Sequence, residues 1–261
     1  MAITEQVRRH YGGEDLAGRI LATAGAGDGP VTADALAPYD QLHAGGALAT
    51  TALLDVLDLD ARTTLLDVGC GLGGPARLAA ARHGCRVTGV DLSPDFVAAA
   101  GELSARAGLS HLVAFEVGDG DGLPCADASH DRAMLVHVGM NVPDKAALFT
   151  DVRRVLRPGG LFGVFEQMRV GPGDLPYPMP WAVDAETSFV ETPSAYEEAL
   201  TTTGFDVLRV EDRRAALAAP GGPPQDGLVV VFGEEFATRL GNNLAATRAG
   251  LLAPVVVLAR A

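Results

Sequence analysis

The chain has 261 residues, 48% of them hydrophobic, enough to bury one good core, so one domain with insertions is expected over two. A net charge of −13, with Lys145 as the only lysine and the arginines scattered, weighs against a nucleic-acid partner, because phosphate binding needs clustered Lys and Arg. No apolar run reaches the roughly eighteen residues of a membrane helix, the N-terminus is not a signal peptide, and Cys70, Cys85 and Cys125 are odd in number and lack zinc spacing, so a soluble, cytoplasmic protein without disulfides or structural metal is expected.

Residues 1–60 carry helical patterns interrupted between Gly25 and Pro30, and they include the segment Tyr39-Asp40-Gln41-Leu42-His43-Ala44-Gly45-Gly46. From about residue 63 strands and helices alternate. Strands are expected at 64–68, 86–91, 112–117, 131–137, 161–168, 205–211 and 253–259, and helices near 75–83, 94–107, 144–156 and 193–203. Pro94 and Pro193 suit a first helical turn. After the fifth strand, residues 171–190 form an insertion in which Pro172, Pro176, Pro178 and Pro180 exclude regular helix. Residues 216–249 hold a Gly/Pro stretch and then a helix pair. Such an order makes an α/β sheet sandwich with mostly parallel strands.

The most informative stretch runs from Leu65 to Arg77, where an apolar strand pattern passes through Gly69, Gly71, Gly73 and Gly74 into a helical pattern. Glycines at such a junction let the backbone approach a ligand and aim helix N–H groups at it. Gly69, Gly71 and Gly74 also fit the G-x-G-x-x-G pattern of dinucleotide enzymes, which alone is a weak signal. Asp67 decides against a pyrophosphate, since a carboxylate at the strand end repels phosphate and attracts a cation. Asp91, which ends the second apolar strand, suits a ribose diol.

With these residues the chain resembles the class I S-adenosylmethionine-dependent methyltransferases. Asp67, Gly69, Gly71 and Gly73 match the family's apolar-Asp-x-Gly-x-Gly-x-Gly motif in full. The resemblance implies that Asp91 binds ribose, with Leu92 against the adenine face. It also implies that Asp119, with Gly120 beside it in a G-D-A-x-x-L-P-like segment, reads the adenine amino group. The R-V-L-x-P-G-G turn at Arg154–Gly160 extends the match, which covers roughly residues 39–212. The implied fold is a Rossmann-like seven-stranded sheet with an antiparallel last strand, in a single domain with an N-terminal helical cap over 1–60 and a core over 61–261 that includes a lid insertion at 171–190.

Several candidates have two readings. His137, at the end of the fourth strand, is either a general base near the methyl group or a hydrogen-bonded structural histidine. A bacterial subgroup reads W-x-Q-H-V-x-M-N-I-x-D-K here, and this chain departs from it with Met134 and Val136, so the acceptor cannot be copied from that subgroup. His43 either closes over the cofactor or ends a solvated helix. Tyr11 either caps a sulfonium or packs. Trp181, the sole Trp, is an anchor or a substrate wall. Glu166 holds an ammonium acceptor, acts as base, or faces outward.

The resulting expectation is a bacterial enzyme that moves the methyl of S-adenosylmethionine to nitrogen, oxygen or carbon of a small molecule, with no metal, no nucleic acid and no membrane partner, and with a homodimer left open. His137, His43 and Glu166 are the candidate bases. The alternative is an enzyme of the same fold that keeps the cofactor as a bound element in a cyclisation or elimination.

Overall fold

The computed structural model describes residues 15–120, 122–217 and 226–261. At its centre lie β1 (Thr64–Val68), β2 (Arg86–Asp91), β3 (Val113–Val117), β4 (His130–Val136), β5 (Leu156–Arg169), β6 (Asp206–Asp212) and β7 (Leu252–Arg260). They form one seven-stranded sheet in the order β3-β2-β1-β4-β5-β7-β6. β1 pairs in parallel with β2 on one side and β4 on the other, whereas β7 is antiparallel to both β5 and β6. This is the Rossmann-like sheet that the resemblance implies.

The helices are α1 (Leu16–Thr23), α2 (Ala33–Asp40), α3 (Gly46–Val56), α4 (Gly74–His83), α5 (Pro94–Arg106), α6 (Lys145–Val155), α7 (Pro193–Thr202), α8 (Arg214–Leu217), α9 (Asp226–Phe232) and α10 (Glu235–Arg248). Successive strand side chains point to opposite faces, and β1 divides its leucines accordingly. Leu65 packs with Leu53, Leu54 and Leu78 on the face covered by α3 and α4. Leu66 packs with Phe149, Val152 and Leu200 on the face covered by α6 and α7. Each such side chain, fully withdrawn from water, contributes about 1.5–3 kcal/mol. Local chemistry starts the helices where the sequence suggests: Ser93 accepts the Phe96 N–H and Thr192 the Ala195 N–H, with Pro94 and Pro193 in the first turns.

Most boundaries fall within a residue or so of expectation, and one differs by more. A helix to 156 and a strand from 161 are expected, but α6 ends at Val155 and β5 begins at Leu156. The Arg157-Pro158-Gly159-Gly160 turn is absorbed into β5 as an irregularity, with the register shifting between His130 and Arg132 and Gly159 at φ 80°. The Gly159 N–H donates to Ala261 O and the Ala261 N–H to Gly160 O, so the turn is tied to the residue that follows β7.

From β1 the chain steps outward through β2 and β3, then crosses to β4 on the opposite flank of β1. Loops leaving β1 and β4 therefore diverge and open a crevice at the strands' carboxyl ends, where α/β sheets bind ligands. The insertion at 171–190 has no α-helix, as its prolines require, and carries a short 3-10 turn at Ala185–Thr187 and an isolated antiparallel bridge between Met179 and Ala182. Among the described residues no helix is long and apolar enough to cross a membrane.

Candidate active site

Gly69, Gly71 and Gly73 follow β1 with φ of 71°, 51° and 75°, left-handed values that cost glycine little. Space enforces the choice as well. A Cβ on Gly69 would collide with the Val138 side chain, and one on Gly73 would stand 2.7 Å from Phe115 Cζ. The turn is laced to β2, since the Gly69 and Cys70 N–H groups both donate to Val90 O at 2.7 and 3.0 Å. Asp91 completes the lacing: Oδ2 accepts the Gly71 N–H at 2.8 Å and Oδ1 the Ser93 N–H at 2.9 Å.

These residues border a cavity of about 290 Å³ at the crevice. Asp67, Gly69, Gly71, Asp91, Leu92, Asp119 and Gly120, each expected to contact the cofactor, line it together. Gly73 stands behind the lining as the cap of α4. Asp67 is 1% exposed and its Oδ2 has no hydrogen-bond partner. Burial first, and then the neighbouring Asp91, push its carboxyl up to about 8 against the pull of Arg77, so with no cation in the cavity it holds a proton at neutral pH. Burial likewise raises Asp91, against the pull of its N–H donors. Asp119 lies two residues beyond β3 at the exposed rim, where its Oδ1 accepts the Gly120 N–H at 2.7 Å.

The histidines meet at the opposite wall. His43 and His137 both line the cavity, with ring centroids 5.6 Å apart. A solvated position for His43 is excluded: it is buried at 5% exposure, and its Nε2 lies 3.1 Å from Gln41 Oε1 and 2.9 Å from Thr50 Oγ1. Burial pulls its imidazole down to about 4, so it is neutral at pH 7. His137 falls one residue past β4, packs its ring 5.1 Å from Phe165, and leaves Nε2 without a partner. Burial, with a smaller contribution from His43, holds it well below the ordinary histidine range. Val136 forms apolar wall where the subgroup's amide would stand.

Other expectations change. Glu166 neither faces outward nor lines the cavity; it is completely buried, and its Oε1 accepts the Val138 and Gly139 N–H groups, each at 2.8 Å. The structure holds it in the turn after β4 and does not bring it to the cavity wall with His137 and His43, while its Oε2 has no hydrogen-bond partner. Trp181 is an anchor, not a substrate wall. It packs with Met140, Met179 and Leu252, and its Nε1–H donates to Ser188 Oγ at 2.9 Å. No residue of 171–190 lines the cavity, because the insertion packs toward β7 and α10, where Asn242 Nδ2 donates to Pro178 O. Tyr11 lies outside the described residues. The cysteines are unpaired, and among the described residues no His, Cys, Asp and Glu cluster could hold a metal.

Sequence reasoning missed an ion pair beneath the glycine turn. Arg77, 0% exposed, donates from Nη2 to Asp40 Oδ2 at 2.8 Å and to Leu72 O at 2.5 Å, and from Nη1 to Ala100 O and Ser104 Oγ. Asp40 lines the cavity. The visible signal was a lone charge amid Gly74-Pro75-Ala76 and Leu78-Ala79-Ala80, all buried. Phe96 and Asn141 also line the cavity unforeseen.

The residues present fit the cofactor that the motif implies. A carboxylate has more acceptor positions than the N–H groups of Gly71 and Ser93 fill on Asp91, and the orphaned Asp67 oxygen suits a cationic neighbour. Residues 66–164 match the family model for a methyltransferase domain. A sterol 24-C-methyltransferase from Gibberella zeae is 39% identical over 102 residues, covering 39% of this chain and 27% of that protein. The chain spans less than half the length of this and the next curated relatives it matches. Among solved structures, the [4+2]-cyclase SpnF is 26% identical with a TM-score of 0.69, covering 98% of this chain and 96% of that one. A geranyl diphosphate C-methyltransferase from Streptomyces coelicolor shares the fold at TM-score 0.73 and 20% identity, covering 100% of this chain and 98% of that one. Motif, sheet order and matched domain converge: residues 66–164 match a methyltransferase domain, and the chain is similar in motif and fold to the class I S-adenosylmethionine-dependent methyltransferases.

Proposed function

We propose that this chain binds S-adenosylmethionine in the crevice between β1 and β4 and transfers its methyl group to a nitrogen, oxygen or carbon of a small molecule, as an enzyme of the EC 2.1.1 type. The observation that carries the reading is the Asp91 carboxylate, fixed at the end of β2 by the Gly71 and Ser93 N–H groups beside the orphaned Asp67. When bound, the cofactor supplies an activated methyl on a sulfonium. The protein's share is to hold the acceptor close and exclude water. Apolar walls from Leu42, Val136 and Val142 suit a largely uncharged acceptor. The acidic, lysine-poor chain suits a cytoplasmic enzyme that does not act on nucleic acid. A cyclising role is not favoured, because the matched domain and the curated relatives are methyltransferases. The test is a metabolite screen with methyl-labelled cofactor: label in a product supports transfer, and a product formed without demethylated cofactor overturns it.

For a hydroxyl or acidic carbon, His137 is the base. It is unprotonated at neutral pH, and its Nε2 has no partner in the protein. Replacing His137 by Gln keeps size and removes the base, so single-turnover transfer should fall by roughly a hundredfold while cofactor affinity is nearly unchanged. Full activity with an unchanged pH profile would make His137 structural and move the search to His43.

Asp67 yields a proton-linkage result. Its folded pKa of about 8 lies above the ordinary 3.8, so the stability from this protonation is complete at low pH and is lost as pH rises through about 8. A bound cation draws the pKa back down. Cofactor binding at pH 7 should therefore release protons, read as a calorimetric heat that varies with the buffer's ionisation enthalpy. Asp67→Asn should abolish that dependence, and its persistence would place the linkage elsewhere.

A further inference from the structure

We propose that Glu166 is a positioning residue that aims His137 into the cavity by holding the backbone of the turn after β4. The inference rests on the proposed methyl transfer and assigns to that same site a residue that touches neither cofactor nor acceptor. β4 ends at Val136, and the chain must bend at once, before the short turn Gly139–Asn141. It bends at His137 itself, which takes φ 56°. That is a left-handed conformation, rare and costly for a non-glycine residue and kept only where the surroundings over-determine it.

Three consecutive N–H groups supply the constraint. His137 N–H donates to Phe165 O at 2.8 Å, continuing the sheet ladder. Val138 and Gly139 have no further strand carbonyl to use, and both donate to Glu166 Oε1 on β5 at 2.8 Å. One carboxylate oxygen thus terminates the ladder where the chain leaves it. Farther along the same segment the Val142 carbonyl is held too, since the buried Lys145 ammonium donates to Val142 O at 3.2 Å and ties it to Phe189 O of the insertion at 2.7 Å. The other side of the turn is closed by α7, because a Cβ on Gly139 would collide with the Tyr196 hydroxyl. Held between Glu166 and Tyr196, the turn keeps the His137 ring against Phe165 and beside His43. A carboxyl group is needed for its acceptor oxygen and its reach. A buried apolar residue there would leave two N–H groups orphaned.

The test compares full-length Glu166→Gln, Glu166→Asp and Glu166→Leu with wild type, using the acceptor found by the labelled-cofactor screen. Three measurements are made: steady-state kinetics for kcat and KM, calorimetry for cofactor Kd, and the 15N resonances of the His137 side chain. Gln retains an oxygen for both N–H groups and should keep kcat within about threefold. Leu lacks the acceptor and Asp falls one methylene short. Each should lose about thirtyfold or more in kcat with cofactor Kd within about threefold, and with His137 resonances displaced. Rescue by Gln but not by the shorter Asp, with cofactor Kd kept and the His137 resonances displaced in Asp alone of the two, is an outcome that general loss of stability does not produce. If the Leu protein does not fold, the Asp protein carries the same test. Wild-type kcat and unmoved resonances in either would overturn the proposal, as would a kcat loss with parallel loss of cofactor affinity and unmoved resonances. If wild type methylates nothing, the functional reading fails, while the His137 resonances still report whether Glu166 sets that ring.

Discussion

Arg77→Met is expected to lower folding stability by about 3–5 kcal/mol, the cost of breaking a buried pair by removing one partner. The guanidinium is wholly buried, and Asp40 is 2% exposed. Burial raises the Asp40 carboxyl while Arg77 opposes that rise. With Arg77 gone, burial is opposed only by the hydrogen bonds from Gln41 and from Asp40's own backbone, so Asp40 must stay charged without an ionic partner or take up a proton, and either is unfavourable. The loss extends to structure, because Arg77 also donates to Leu72 O in the glycine turn and to Ala100 O and Ser104 Oγ on α5. One side chain thereby ties the N-terminal cap, the glycine turn and a core helix. Pairing Arg77→Met with Asp40→Leu should recover a good part of the loss, because no charge is then stranded. Urea denaturation of the three variants measures this, with an unchanged m-value showing that stability alone has moved. A single-variant loss below about 1 kcal/mol would mean that the pair contributes little.

Asp91→Ala is expected to weaken S-adenosylmethionine binding by about tenfold to a hundredfold or more, from the loss of charge-assisted hydrogen bonds of about 1.5–3 kcal/mol. Asp91 has two duties, since it faces the cavity and accepts the Gly71 and Ser93 N–H groups. Asp91→Asn separates them, because it keeps an oxygen for an N–H group but lacks the second acceptor a diol requires. Its affinity should fall between wild type and Ala, with thermal stability nearer wild type. Calorimetry with S-adenosylmethionine and its demethylated product decides the matter. NAD should not bind wild type, because its pyrophosphate would leave water beside the buried Asp67 carboxyl group, which offers it no cation. Unchanged affinity in the Ala variant, or tight NAD binding, would remove the basis of the assignment.

What the sequence by itself determined was local. Strand and helix cores are written in runs of neighbouring side chains, and the cofactor cradle is written in three glycines and in the acids that end β1 and β2, each within a few residues of the element that positions it. Hence Asp67, Asp91 and Asp119 converge on one cavity as their places along the chain imply. Only the tertiary structure decided the rest. Glu166 lies on a strand buried on both faces, where alternation carries no information about which way a side chain points. Its two N–H donors are 28 and 27 residues away. Arg77 finds Asp40 37 residues away, and Trp181 turns to β7 and not to the cavity because α10 and the insertion pack there. His137 carries no local cue for a left-handed backbone; its φ is imposed by groups on β5 and α7. Contacts between segments distant in sequence depend on the order in which strands assemble around β1, and neighbouring residues carry little of that order, so the cofactor end of the site is legible in the chain and the acceptor end is not.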